Sequence, residues 1–294
     1  MFSPSVQAGA FGLPSAIVRR RRGEGVVSSD HFGKVLPKVD HDQDQLSGPH
    51  AFFGGLIHVR ERAVGHRSGT DAVLLAACVP DGASGLLVDL GCGSGVVGLG
   101  ALARHQDLQA VLVDKDPSMV QLARLNGAEN GLSDRMRVLE ADVLAPKSLF
   151  HPQGLAEDSA DFVLSNPPFH PAGRVRVSPH KTRATAHVLD DADLDLWIKT
   201  AGRMLKPKGV FYMIHRPDAL PFVLQVMAGR FGDVRVKPVH GKAGRSATRV
   251  LIAGMKGSRA PFSLLEPLIL HDETGQRTEI DEAIARGRSL IAMG

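Results

Sequence analysis

The sequence predicts an α/β protein with a doubly wound, mainly parallel sheet that ends in one antiparallel hairpin. Three observations carry that expectation. Short apolar runs, such as Leu86-Leu87-Val88-Asp89 and Ala110-Val111-Leu112-Val113-Asp114, alternate with segments of helical period. A glycine-rich loop, Gly91-Cys92-Gly93-Ser94-Gly95, follows the first of these runs. Two β-rich segments, 234–239 and 248–253, lie either side of a Gly241-Lys242-Ala243-Gly244 turn and read as the hairpin.

Residues 1–45 lack a periodic pattern, are rich in Gly, Pro and Ser and carry the run Arg19-Arg20-Arg21-Arg22. They read as a mobile basic N-terminal tail, leaving 46–294 as the domain. The tail has neither the amphipathic repeat of a transit peptide nor the charged-then-apolar pattern of a secretory signal. Residues 52–59 read as a short strand or ribbon, and Ser68-Gly69-Thr70-Asp71 offers caps for an apolar helix over 72–78. Residues 86–89 form a buried strand, and a helix over 96–105 starts at the glycine loop. The second strand is 110–114, followed by a helix over 117–130 with Pro117 at a permitted first-turn position. The third strand is 136–139. The fourth, 161–165, ends at Asn166-Pro167-Pro168-Phe169. A helix over 193–205, a strand over 209–214 and a helix over 217–230 lead to the hairpin. There is no internal repeat.

The chain has 294 residues, of which 43% are hydrophobic, enough for a sizeable core. No apolar run approaches the roughly 18 residues of a membrane span, so a cytoplasmic protein without membrane contact is expected. Two cysteines and thirteen histidines, none at ligand spacing, predict neither disulfides nor a metal site. The net charge is +4, unevenly spread. Residues 170–189 carry Arg174, Arg176, Lys181 and Arg183 and no acid. Residues 234–265 carry Arg235, Lys237, Lys242, Arg245, Arg249, Lys256 and Arg259, again with no acid, so the remainder is net −7. Two basic segments on an otherwise acidic body suit a polyanion such as RNA.

In open α/β sheets ligands bind at the carboxyl ends of the strands, where the unusual residues of this chain collect. Gly91, Gly93 and Gly95 let the backbone turn tightly and approach a ligand with no Cβ in the way. Asp89 can fix the loop or meet a ligand amino group. Asp114 can accept from ribose hydroxyls, and Asp142 from an adenine amino group. Thr70, at the start of the first expected helix, joins these candidates. The loop also spells GxGxxG at Gly93, Gly95 and Gly98, a pattern shared with dinucleotide enzymes, but the preceding acid and the later Asn-Pro-Pro-Phe weigh against that alternative.

The tetrapeptide has its own chemistry. An aromatic or amide nitrogen is a poor nucleophile because its lone pair is delocalised, so a site must orient it and favour pyramidalisation. Asn166 can accept one N–H through its side-chain oxygen, and the Pro167 carbonyl, held by two successive prolines, can accept the other. Both contacts tighten as positive charge develops on nitrogen. Phe169 can stack on a planar base. His170, His180 and His187, amid basic residues, read as solvated or RNA-facing. Trp197 and Tyr212 read as core.

At these residues, with Asn126 and Asn130 in the intervening helix, the chain resembles class I S-adenosylmethionine-dependent methyltransferases that act on exocyclic or amide nitrogen. The resemblance implies a Rossmann-like, seven-stranded sheet and S-adenosylmethionine as cofactor, bound through Thr70, Asp89, Gly91, Gly93, Gly95, Asp114, Asp142 and Asn166. The segment Gly65-His66-Arg67-Ser68-Gly69-Thr70-Asp71 and the apolar residues after it are similar to the bacterial enzymes that N6-methylate the adenosine next to the anticodon of a valine tRNA. The similarity runs from about Phe52 to the C-terminus and includes Arg249-Val250-Leu251. It implies methyl transfer to adenine N6 in tRNA, with Asn166, Pro167 and Phe169 holding the base. Arg174, Arg176, Lys181, Arg183, Lys242, Arg245 and Arg249 then contact phosphate.

Two departures keep other acceptors open. The tail is longer than that pattern, and Phe169-His170 stands where a Tyr-aromatic pair is usual. Phe-His is similar to enzymes that methylate guanine N2 in ribosomal RNA, although those carry a large extra N-terminal domain. Release-factor glutamine methyltransferases share the tetrapeptide, typically with Tyr. Small-molecule methyltransferases share the fold, and an RNA-binding module with a vestigial cofactor site is the non-enzymatic alternative.

Overall fold

In a computed structural model, the residues described are 46–63, 68–150, 155–168, 191–288 and 291–293. The expected N-terminal tail, 1–45, lies outside them. The elements in chain order are β1 (Leu46–Phe52), β2 (Ile57–Arg62), α1 (Thr70–Ala76), β3 (Gly85–Leu90), α2 (Val96–Arg104), β4 (Leu108–Asp114), α3 (Pro117–Glu129), β5 (Met136–Glu140), α4 (Pro146–Leu149), β6 (Ala160–Ser165), α5 (Asp191–Met204), β7 (Leu205–His215), α6 (Leu220–Met227), β8 (Phe231–His240), β9 (Arg249–Lys256), β10 (Ser263–Leu264), β11 (Leu268–Ile269) and α7 (Glu279–Ala285).

The seven long strands of the main sheet run in the order β8-β9-β7-β6-β3-β4-β5, and β10 and β11 extend it beyond β8. The pairs among β3 to β7 are parallel, while β9 runs antiparallel to both β7 and β8. The mainly parallel sheet with a final antiparallel hairpin is therefore present, widened by two short strands that the periodicity did not announce. The reason the strand sequences are continuously apolar is visible in their burial. On β4, Ala110 and Leu112 belong to one apolar cluster, and Val111 and Val113 to the other; β9 divides the same way, with Leu251 and Ala253 against Val250 and Ile252. Successive side chains point to opposite faces, and both faces are covered.

Side-chain caps mark the starts of two helices, α3 and α7. Asp116 caps α3 by accepting from the Ser118 N–H at 2.9 Å, with Pro117 in the first turn. Thr278 caps α7, whose first turn carries Glu279, Asp281 and Glu282. The capping expected before α1 is not found: its N-cap is Gly69, with no side-chain bond. Ser68 Oγ instead lies 3.1 Å from Ser94 Oγ, and the Asp71 carboxylate accepts from Arg249 Nε at 2.8 Å. A long-range partner has taken each of these side chains away from the local donors. The expected ribbon over 52–59 is a longer antiparallel pair, β1 with β2, separate from the main sheet.

Candidate active site

Sheet order places the site. The connection leaving β3 runs toward β4 and the one leaving β6 runs toward β7, so the two loops part on opposite sides and leave a crevice at the carboxyl edge. Leu90 pairs with Ser165 in register, so Gly91 and Asn166 leave adjacent strand ends. Residues 75 apart in sequence become neighbours through that single pairing.

The glycine loop is held from below and behind. Gly91, Gly93 and Gly95 have φ of 73°, 54° and 91°, the left-handed region where a Cβ is costly. The Gly91 and Cys92 amides both donate to the Val113 carbonyl at 2.9 Å, and the Gly93 N–H donates to Asp114 Oδ2 at 2.9 Å. A Cβ added at Gly93 would meet nothing within 4 Å, so the loop opens there onto free space. At Gly91 the same Cβ would come within 3.1 Å of the Trp197 ring.

Asp89 is 1% exposed, and its Oδ2 accepts from the Gly98 N–H at 2.9 Å, satisfying one of the first-turn amides of α2. This contact ties the end of β3 to the first turn of α2, just beyond the glycine loop. Burial pushes its carboxyl up to about 7, partly offset by that hydrogen bond. Asp114 is half-buried and also raised by burial; its other oxygen accepts from the Asp116 N–H at 2.9 Å. Asp142 follows β5, and its Oδ1 accepts from the Leu144 N–H at 2.9 Å. Thr70 is exposed at the first residue of α1, beside the Asp71–Arg249 ion pair.

Asn166 supplies the most telling atom. Its Oδ1 is buried and has no hydrogen-bond partner, a costly state for an amide oxygen unless a ligand donor completes it. Pro167 is buried behind it and Pro168 is exposed. Phe169, Arg174, Arg176, Lys181 and Arg183 lie outside the described residues. Lys242 and Arg245 are exposed in the β8–β9 turn. His215 pairs with Val250, which brings that turn and Arg249 to the same carboxyl edge as the glycine loop. Arg249 differs from the other two: Asp71 already engages its guanidinium.

Sequence reasoning missed Ser165 and gave Trp197 only a core role. Trp197 is 6% exposed, but its Nε1 donates to Ser165 Oγ at 2.8 Å, linking α5 to the residue before Asn166. No local pattern marks such a role. Cys78 and Cys92 are buried and free. Among the described residues no group of three or more His, Cys, Asp or Glu side chains forms a candidate metal site, and no helix is long and apolar enough to cross a membrane.

A doubly wound sheet with a left-handed glycine loop after its first strand, acids at the next two strand ends and Asn-Pro-Pro after the fourth defines a Rossmann-like methyltransferase. The chain belongs to the methyltransferase small domain family, whose model matches residues 67–242. It is 28% identical over 221 residues to a tRNA1(Val) (adenine(37)-N6)-methyltransferase of Porphyromonas gingivalis, covering 71% of this chain and 83% of that one. A protein of the same description from Phocaeicola vulgatus is 31% identical over 189 residues, covering 63% and 75%. Among solved structures, one described as a predicted O-methyltransferase of Agrobacterium tumefaciens superposes with a TM-score of 0.63 at 28% identity, covering 76% of this chain and 98% of that one.

The residues fit S-adenosylmethionine. The open space at Gly93 admits a ligand against the backbone, and Asp114 and Asp142 present carboxylate acceptors at successive strand ends.

Proposed function

We propose that this methyltransferase transfers a methyl group from S-adenosylmethionine to the exocyclic N6 of an adenosine in tRNA. The buried, unpartnered Oδ1 of Asn166 carries the reading, because it is an acceptor waiting for an N–H. When bound, the cofactor supplies an electrophilic methyl group on a sulfonium. Thr70, Asp89, Gly91, Gly93, Gly95, Asp114, Asp142 and Asn166 form its side of the crevice, Asp89 from beneath through α2.

Asn166 Oδ1 accepts one amino hydrogen of the base, and the Pro167 carbonyl accepts the other. The two acceptors turn the nitrogen lone pair out of conjugation and stabilise the positive charge that grows on it, which lowers the barrier rather than the ground state. No ionisable base is needed, since the product nitrogen loses its proton to water. Phe169 supplies a stacking face. Lys242 and Arg245, with Arg174, Arg176, Lys181 and Arg183, contact phosphates of the RNA. Adenine in tRNA is favoured as acceptor by relatives that carry that description and are matched over three-quarters or more of their own length. A cytoplasmic setting and the basic run Arg19-Arg20-Arg21-Arg22 accord with an RNA-modifying enzyme.

Methyl transfer from labelled S-adenosylmethionine to total unmodified small RNA, followed by nucleoside analysis, tests this reading. Label in N6-methyladenosine supports it. Label in N2-methylguanosine moves the assignment to ribosomal RNA, and absence of RNA label despite cofactor binding moves it to protein or metabolite acceptors.

A further inference from the structure

Two asparagines one helical turn apart on α3 hold β2 much as a neighbouring strand would. Asn126 Oδ1 accepts from the Arg60 N–H at 2.8 Å, while its Nδ2 donates to the Arg60 carbonyl at 3.0 Å. Asn130 repeats the arrangement on His58, at 2.8 and 2.7 Å. The match is geometric: four helical residues rise about 6 Å, close to the roughly 6.7 Å that separates alternate strand residues. Arg60 adds a two-oxygen contact with Glu129, at 2.8 and 2.9 Å.

The two asparagines differ in one respect. Asn126 is fully buried, and its Nδ2 also donates to the Ser94 carbonyl inside the glycine loop at 2.8 Å. The corresponding bond of Asn130 returns to the Asn126 carbonyl within α3, at 2.7 Å. Strand β2 reaches the same loop residue by a second route: buried Glu61 accepts from the Ser68 N–H at 2.6 Å, and Ser68 Oγ lies 3.1 Å from Ser94 Oγ.

We infer that the β1–β2 hairpin is a clamp on the cofactor loop, and that Asn126 is a positioning residue that sets cofactor affinity by fixing the Ser94 peptide. Glycines in the left-handed region are conformationally free and lose much entropy when ordered. A loop already ordered by contacts from behind binds its ligand at lower entropic cost. The inference rests on the cofactor reading of that loop.

Asn126→Asp and Asn130→Asp in the full chain test it. Each retains the volume and an acceptor for the strand N–H but replaces the donating NH2 by an oxygen that faces a carbonyl. In the cofactor-free protein, hydrogen exchange at residues 58–60 quickens in both variants. Exchange at 91–95, whose amides are protected by Val113, Asp114 and Cys92, quickens only in Asn126→Asp. Calorimetry then gives a dissociation constant for S-adenosylmethionine raised about tenfold or more in Asn126→Asp, but within about twofold of wild type in Asn130→Asp. The rate at saturating cofactor stays near that of wild type for both.

Glu61→Ala cuts the second route without touching α3, so it also quickens exchange in the loop; this variant decides the matter if Asn126→Asp fails to fold. Equal effects of the two asparagine variants on the loop, or an unchanged loop in Asn126→Asp or Glu61→Ala, overturn the clamp. Failure of the wild-type protein to bind the cofactor overturns the cofactor reading and the clamp with it.

Discussion

Trp197 Nε1 donates to Ser165 Oγ across 2.8 Å, and the same indole backs Gly91, where an added Cβ would lie 3.1 Å from its ring. One side chain from α5 thus touches the residue before Asn166 and the first glycine of the loop. Ser165 Oγ also donates to the Leu90 carbonyl at 3.4 Å. Trp197 is the single tryptophan of the chain, so its emission reports on this junction. Titration with S-adenosylmethionine is expected to change that emission saturably, with a midpoint equal to the calorimetric one. Trp197→Phe removes the signal and the N–H donor, lowering stability by about 1–3 kcal/mol through the lost bond and smaller ring. A flat titration in protein that calorimetry shows to bind would mean that binding leaves this junction undisturbed.

Removing the unpartnered acceptor separates chemistry from cofactor binding. Asn166→Ala is expected to lower the transfer rate about 100- to 1,000-fold, as for loss of one oriented transition-state contact, with the dissociation constant for the cofactor changed only a few-fold. Single-turnover assays beside calorimetry make the comparison. Equal transfer rates in variant and wild type would dismiss the role given to Asn166.

The buried Asp89 makes the cofactor-free protein sensitive to pH. Its folded value of about 7 lies above its ordinary 3.8. The stability this contributes is complete below the lower value and is lost as pH rises through the higher one. Asp89→Asn keeps an acceptor for the Gly98 N–H and removes the charge. The variant is therefore expected to match wild type near pH 4 and to exceed it above pH 7, by no more than about 4 kcal/mol at 1.36 kcal/mol per unit. Thermal melts across that range read the difference; parallel curves would show that Asp89 is not the titrating group.

The basic residues at the carboxyl edge divide into two kinds. Lys242 and Arg245 are exposed, so each substituted by Ala is expected to weaken RNA binding and lower the slope of log affinity against log salt by about 0.7–0.9. Arg249 is engaged by Asp71 at 2.8 Å, with 30% and 24% of the two side chains exposed. Arg249→Ala is expected to cost about 1 kcal/mol of stability as well as any loss of RNA affinity. Filter binding over a salt series, with denaturation of the same variants, distinguishes the two kinds.

The sequence by itself determined the main alternation of strands and helices from β3 to β9, though not the short α4 or the later α7, because continuous apolar runs and helical spacing are written within a few residues of each other. It also exposed the glycine loop and Asn166-Pro167-Pro168, whose backbone chemistry is local. Tertiary structure alone decided what depends on partners far along the chain. It drew Ser68 to Ser94 and Asp71 to Arg249 instead of to the start of α1. It engaged Arg249 before any RNA arrives, put Trp197 behind Gly91, and gave Asn126 a strand on one side and the cofactor loop on the other. The short β10 and β11 were silent for the same reason: two residues contain no period, and only the edge of β8 makes them strands. Periodicity is a local property, whereas hydrogen-bond partners are chosen by the packed chain.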